Sequence, residues 1–133
     1  MEYNQKNKNA VTSLAQKYDL AMLVLFGSYA DNTMTKHSDL DFAYSKQVPL
    51  SFDDELSLGA ELGRLFKNEN VDVVHLNKTS PVFMSEIMKK AVLLFARTPN
   101  IFPNAFSYAM KRMQENRFLY DLKLQRLREY YNL

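Results

Sequence analysis

The sequence predicts an α+β fold, a mixed or antiparallel sheet flanked by helices and followed by a long C-terminal helix. Three observations predict it. Helix-period and strand-period apolar patterns alternate along the chain. The first two strand-like runs are joined by too few residues for a helical crossover, which argues against a doubly wound parallel sheet. The last part of the chain carries one continuous helical pattern. With 133 residues, the expectation is a single domain, 1–133, around one core.

Residues 8–18 read as a helix, because Val11, Leu14, Ala15 and Tyr18 recur at helical spacing on one face. Leu20 to Phe26 is a seven-residue apolar run stopped by Gly27. Its length and its glycine point to a buried central strand. Residues 29–38 are polar and aperiodic and suggest a short helical turn and a loop. Leu40 to Tyr44 reads as a second strand. Asp39, Asp41 and Ala43 share one face, and Leu40, Phe42 and Tyr44 the other. Residues 52–67 read as a helix. Ser51 and Asp54 resemble a capping box, and Leu58, Leu62, Leu65 and Phe66 form an apolar stripe. Val71 to Leu76 is a third strand, rich in β-branched residues. Ser80 and Pro81 suit the cap and first position of a helix reaching Lys90. Ala91 to Ala96 reads as a fourth strand. Thr98 to Asn104, with two prolines, reads as a connector. From Ala105 a long helix follows. Phe106, Met110, Met113, Tyr120, Leu124, Leu127 and Tyr131 form a heptad-like seam broken at Arg117.

Bulk properties exclude several classes. Net charge is +2, from 17 basic and 15 acidic residues, which is too balanced to argue for direct nucleic-acid binding. The six basic residues from Lys111 to Arg128 read as a solvated helix face. There is no cysteine, hence no disulfide or thiolate chemistry. No apolar run approaches the roughly 18 residues that span a bilayer. Met1 to Ala10 is polar and lacks the core of a signal peptide. The expectation is a cytoplasmic protein with no membrane contact. His37 and His75 lack metal-ligand spacing and read as surface or satisfied histidines.

The chemistry concentrates after the first strand. Gly27 ends that strand, so the turn beyond it lies at the end of the sheet, where a glycine lets a phosphate approach the backbone. Ser28 adds a hydroxyl donor, and a helix starting there would offer free amides to an anion. Asp39 and Asp41 lie two apart, which places both carboxylates on one strand face with Cα atoms roughly 6.5–7 Å apart. Two such carboxylates repel unless one is protonated or a cation is bound. Their hard oxygens suit Mg²⁺, and two such ions could serve an attacking and a leaving oxygen. Asp72, in VDVV, faces away from Val71 and Val73. In a strand beside Asp41 it would complete a three-carboxylate site and act as base toward an attacking hydroxyl.

Gly27-Ser28, ten intervening residues, Asp39-x-Asp41 and a later strand acid together resemble the DNA polymerase beta-like nucleotidyltransferase superfamily, in size its minimal nucleotidyltransferase (MNT) group. The stretch LFGSYADNTMTKHSDLDFAY carries the resemblance, and VDVVHL adds the third acid. The resemblance implies transfer of AMP from Mg-ATP to a hydroxyl, with release of pyrophosphate. It implies that Gly27 and Ser28 hold the nucleotide phosphates, that Asp39, Asp41 and Asp72 bind metal, and that Asp72 activates the acceptor. Asp31 and Asn32 stand where many relatives carry Arg-Gly. Lys36, Arg64 and Lys67 are candidates for the phosphate-binding cation so displaced. Stand-alone MNT proteins resemble antitoxins encoded beside a HEPN-domain ribonuclease toxin. The partner implied is therefore a HEPN toxin, neutralised by AMP transfer to a hydroxyl, with tyrosine the favoured acceptor. Two alternatives stay open: an antitoxin that acts by binding alone, and a nucleotidyltransferase for small molecules.

Overall fold

The computed structural model describes residues 5–27 and 39–131, so the expected turn and loop at 29–38, with Ser28, lies outside the described residues. The elements are α1 (Gln5–Lys17), β1 (Met22–Phe26), β2 (Leu40–Ser45), α2 (Phe52–Phe66) and β3 (Val71–His75). A 3-10 turn (Leu76–Lys78), α3 (Pro81–Lys90), β4 (Val92–Ala96) and α4 (Ile101–Tyr131) follow.

The strands form one sheet in the order β3-β2-β1-β4. β1 pairs antiparallel with β2 and with β4, whereas β2 and β3 run parallel, joined through α2. The sheet is therefore mixed, as the sequence predicts. The uninterrupted apolar run makes β1 an interior strand buried on both faces. Leu23 and Leu25 face one core cluster, together with Val11 and Ala15 of α1 and Leu58, Leu62 and Phe66 of α2. Met22 and Val24 face the other, with Met84, Ile87 and Met88 of α3 and Ala109 of α4. Alternation in β2 divides the same way: Leu40, Phe42 and Tyr44 meet the α1/α2 layer, and Ala43 the α3/α4 layer.

Caps and side-chain ties secure the layers. The Ser51 hydroxyl accepts from Asp54 N at the start of α2, and the Ser80 hydroxyl from Phe83 N at the start of α3, with Pro81 in the first turn. The Tyr44 hydroxyl donates to Glu55 Oε1 at 2.5 Å and accepts from Leu50 N at 3.1 Å, which ties β2 to the start of α2. The Tyr18 hydroxyl and Lys17 Nζ both donate to Glu61, joining α1 to α2.

One expectation needs correction and two are sharpened. First, α4 begins at Ile101, not Ala105, and shortens the connector. Pro103 is tolerated because it lies in the first helical turn, where a missing N–H costs nothing. Second, the heptad-like seam packs within the chain only in part, through Met110. Ile101, Phe102, Ala105, Ala109 and Met110 pack on the second core cluster, whereas Phe118, Leu119, Tyr120 and Leu127 are exposed. A helix of 31 residues extends about 46 Å, far beyond five-residue strands about 16 Å long. Of the six basic residues there, Arg112 is not simply solvated, since its Nη1 donates to Thr79 O. Third, of the two readings of His75, surface or satisfied, the structure shows a buried ring with one nitrogen partnered. Its ring stacks on Tyr44 and Nε2 lies 2.9 Å from Lys46 O, while Nδ1 has no partner among the described residues. Among the described residues, no helix is long and apolar enough to cross a membrane.

Candidate active site

The register of the sheet assembles the acids. β2 and β3 are aligned so that Asp41 stands directly beside Asp72. Val71 and Val73 pack into the first cluster with Leu40 and Phe42, so Asp72 shares the opposite face with Asp41. Adjacent strands lie about 4.8 Å apart, which makes the two carboxylates near neighbours. Asp39 immediately precedes β2 and is exposed, as is Asp72; Asp41 is half-buried between them.

Electrostatics register this crowding. Burial pushes the Asp41 carboxyl above the ordinary carboxylate range, and the charges of Asp72 and Asp39 push it further the same way. Both other predicted acids thus lie within electrostatic reach of Asp41. Across β1, Phe26 faces Asp41 in the antiparallel register. Its ring meets Phe83 of α3 edge-on, with centroids 6.0 Å apart. This aromatic wall was not singled out from the sequence, although alternation along β1 places Met22, Val24 and Phe26 on one face.

Gly27 is required here for two physical reasons. Its φ is +79°, in the left-handed region that side chains disfavour. A Cβ at this position would also collide with Asp41 Oδ2. The space the glycine leaves is occupied by the carboxylate of Asp41, so turn and acid are coupled. The predicted phosphate contact of Ser28, and Lys36 as a substitute cation, lie outside the described residues. Arg64 and Lys67, at the end of α2, line a groove along β3 that also includes Asp72.

The donor set can be tested against Mg²⁺. Adjacent carboxylates, one of them destabilised as an anion by the others, suit a hard cation that takes one or two carboxylates and completes its shell with water and phosphate. Among the described residues, no three His, Cys, Asp or Glu side chains converge tightly enough to cage an ion alone. Such carboxylates fit an ion that takes part of its shell from a phosphate substrate.

Comparison with known proteins bears on the family and the fold. The sequence profile of the family "Polymerase beta, Nucleotidyltransferase" matches residues 9–100, which hold every acid of the site. No protein of curated function matches the chain. The fold is similar to a chain of a toxin-antitoxin structure with AMP-PNP, at TM-score 0.75 and 21% identity, over 91% of this chain and 98% of that one. It is similar to a chain of the MntA-HepT toxin-antitoxin structure, at TM-score 0.69 and 19% identity, over 93% and 98%. It is also similar to a chain of the tri-AMPylated HEPN toxin in complex with MNT antitoxin from Shewanella oneidensis, at TM-score 0.69 and 20% identity, over 92% and 97%. From the family match and the carboxylates it encloses, the chain belongs to the polymerase beta nucleotidyltransferase family.

Proposed function

We propose that the chain is an antitoxin that transfers AMP from Mg-ATP to a hydroxyl, a tyrosine by preference, of a HEPN-domain toxin and so neutralises it. The observation that carries the reading is the register of Asp41 beside Asp72, with Asp39 close enough to raise the Asp41 carboxyl. Such a cluster is unfavourable unless cations or protons offset it. Likeness to toxin-antitoxin chains, one with an ATP analogue and one with an AMPylated toxin, supports the choice of nucleotide and partner.

In the reaction, the acceptor oxygen bonds the α-phosphorus of ATP, the bond to the bridging oxygen breaks, and pyrophosphate leaves. Asp72 receives the acceptor proton. Asp39 and Asp41, with Asp72, would hold Mg²⁺. Bound there, Mg²⁺ supplies charge neutralisation for the phosphates and polarises the reacting oxygens. Gly27 keeps the turn clear of the Asp41 carboxylate, and Ser28 adds a hydroxyl toward the phosphates.

Incubating the chain with ATP, Mg²⁺ and a co-encoded HEPN protein should add AMP to that protein, read by intact mass. Asp39→Asn and Asp41→Asn should each reduce the rate about 100-fold or more, the scale of losing one electrostatic stabiliser of the transition state. No mass gain with the wild-type chain rejects the reading. If the double variant neutralises the toxin as well as wild type does, the chain acts by binding alone.

A further inference from the structure

β3 is the last strand of the sheet, and among the described residues no strand pairs with its outer side. Leu40 N donates to Asn70 O at 2.8 Å, and Leu40 stands opposite Val71 in the parallel register. In a parallel pair, the N–H and C=O of one residue reach the residues before and after its partner. The backbone groups of Asn70, Asp72 and Val74 therefore point toward β2. Those of Val71 and Val73 point outward and flank Asp72 on both sides.

A groove of about 700 Å³ runs along this edge, between β3 and α2. Leu56, Ala60, Val71 and Val73 give it apolar surface, and Asp72 forms part of its lining. On the α2 side Phe52 is 74% and Leu56 57% exposed, large apolar side chains held in water. Its charged residues are Glu55, Glu69 and Asp72 against Arg64 and Lys67, with no positive excess to attract a polyanion. An apolar groove beside unpaired strand amides and carbonyls fits an extended polypeptide, which gains affinity from main-chain hydrogen bonds.

We propose that this edge docks an extended segment of the acceptor protein, which adds to β3 as a further strand and presents its hydroxyl residue opposite Asp72. The inference rests on the nucleotidyl-transfer reading above and assigns the acceptor's route to the site. Residues directly opposite on neighbouring strands project to the same face. The strands would then run acceptor, β3, β2, with the hydroxyl, Asp72 and Asp41 side by side on the catalytic face. The hydroxyl proton passes to the Asp72 carboxylate as its oxygen bonds the α-phosphorus and pyrophosphate departs.

The test is residue-resolved hydrogen exchange on the wild-type chain, alone and in complex with its HEPN acceptor. Val71 and Val73 amides should exchange quickly in the free chain and at least about tenfold more slowly in the complex. Asp72 and Val74 amides should be slow in both. A second arm uses Ala60→Trp, which fills the groove from an exposed helix position. It should lower AMP transfer about tenfold, the scale of losing one or two main-chain hydrogen bonds, with AMP-PNP affinity unchanged. The inference is overturned if wild type transfers AMP while Val71 and Val73 stay unprotected, or while Ala60→Trp transfers at the wild-type rate. It is also overturned if those amides are protected in the free chain in proportion to its own concentration, since a second copy then covers the edge. Absence of AMP transfer by wild type rejects the underlying reading instead, and this inference with it.

Discussion

Asp41 is the residue on which burial and two like charges act together, and its raised pKa has a definite consequence for stability. Its folded pKa exceeds the unfolded value, so its contribution to stability is present below the ordinary carboxylate range. That contribution is lost as pH rises through the raised value. At neutral pH the metal-free chain therefore carries an unrelieved repulsion. Asp72→Asn should raise the melting temperature of the metal-free chain at pH 7, and the gain should vanish once pH falls below the carboxylate range. Scanning calorimetry over pH checks both parts, and an unchanged or lowered melting temperature at pH 7 counts against a crowded site. Gly27 is the complementary case. Gly27→Ala should cost about 1–3 kcal/mol in urea unfolding, from the strained backbone, and should also displace Asp41. A loss below a few tenths of a kcal/mol would mean the turn relaxes freely.

At the scale of elements, α4 divides into two parts with different duties. Up to Met113 it packs on α3 and the sheet; beyond, its side chains are largely exposed. Because those side chains bury little surface, the distal half adds little to the core. A chain ending at Asn116 should keep its unfolding free energy within about 1 kcal/mol of the full chain. A larger loss would show that the distal half stabilises the fold by contacts not evident from its exposure. The element boundaries show how much was legible. The end of β1 at Phe26, the Ser51 and Ser80 caps and the span of α3 follow from local residue chemistry. The start of α4 did not, because a proline in the first turn looks the same in sequence as a proline in a connector.

For the whole molecule, the site is a property of the sheet, and it should respond as one to its ligands. Mg²⁺ with AMP-PNP should raise the melting temperature of wild type by several degrees. A ligand at about 100 times its Kd contributes about 2.7 kcal/mol. The Asp39→Asn, Asp41→Asn double variant should show no such rise. This readout is independent of any acceptor, and an equal rise in the double variant would place the nucleotide elsewhere.

Spacing of two and of 3.6 residues is a local property, so the sequence sufficed to predict a mixed α+β fold, an interior β1 and Asp41 on the strand face opposite Leu40 and Phe42, although Asp39 falls just before the strand rather than in it. It also showed Asp72 facing away from its valine neighbours. Which residue of β3 stands beside Asp41 is not local. That register depends on how α2, which links the two parallel strands, packs on the face of the sheet, and only the assembled sheet sets Asp41 against Asp72. The reason for Gly27 was likewise hidden. Sequence suggested room for a phosphate; tertiary packing adds that the Asp41 carboxylate stands where a Cβ would go. The open edge of β3 could be recognised only once strand order was known, because an edge is defined by the partner a strand lacks.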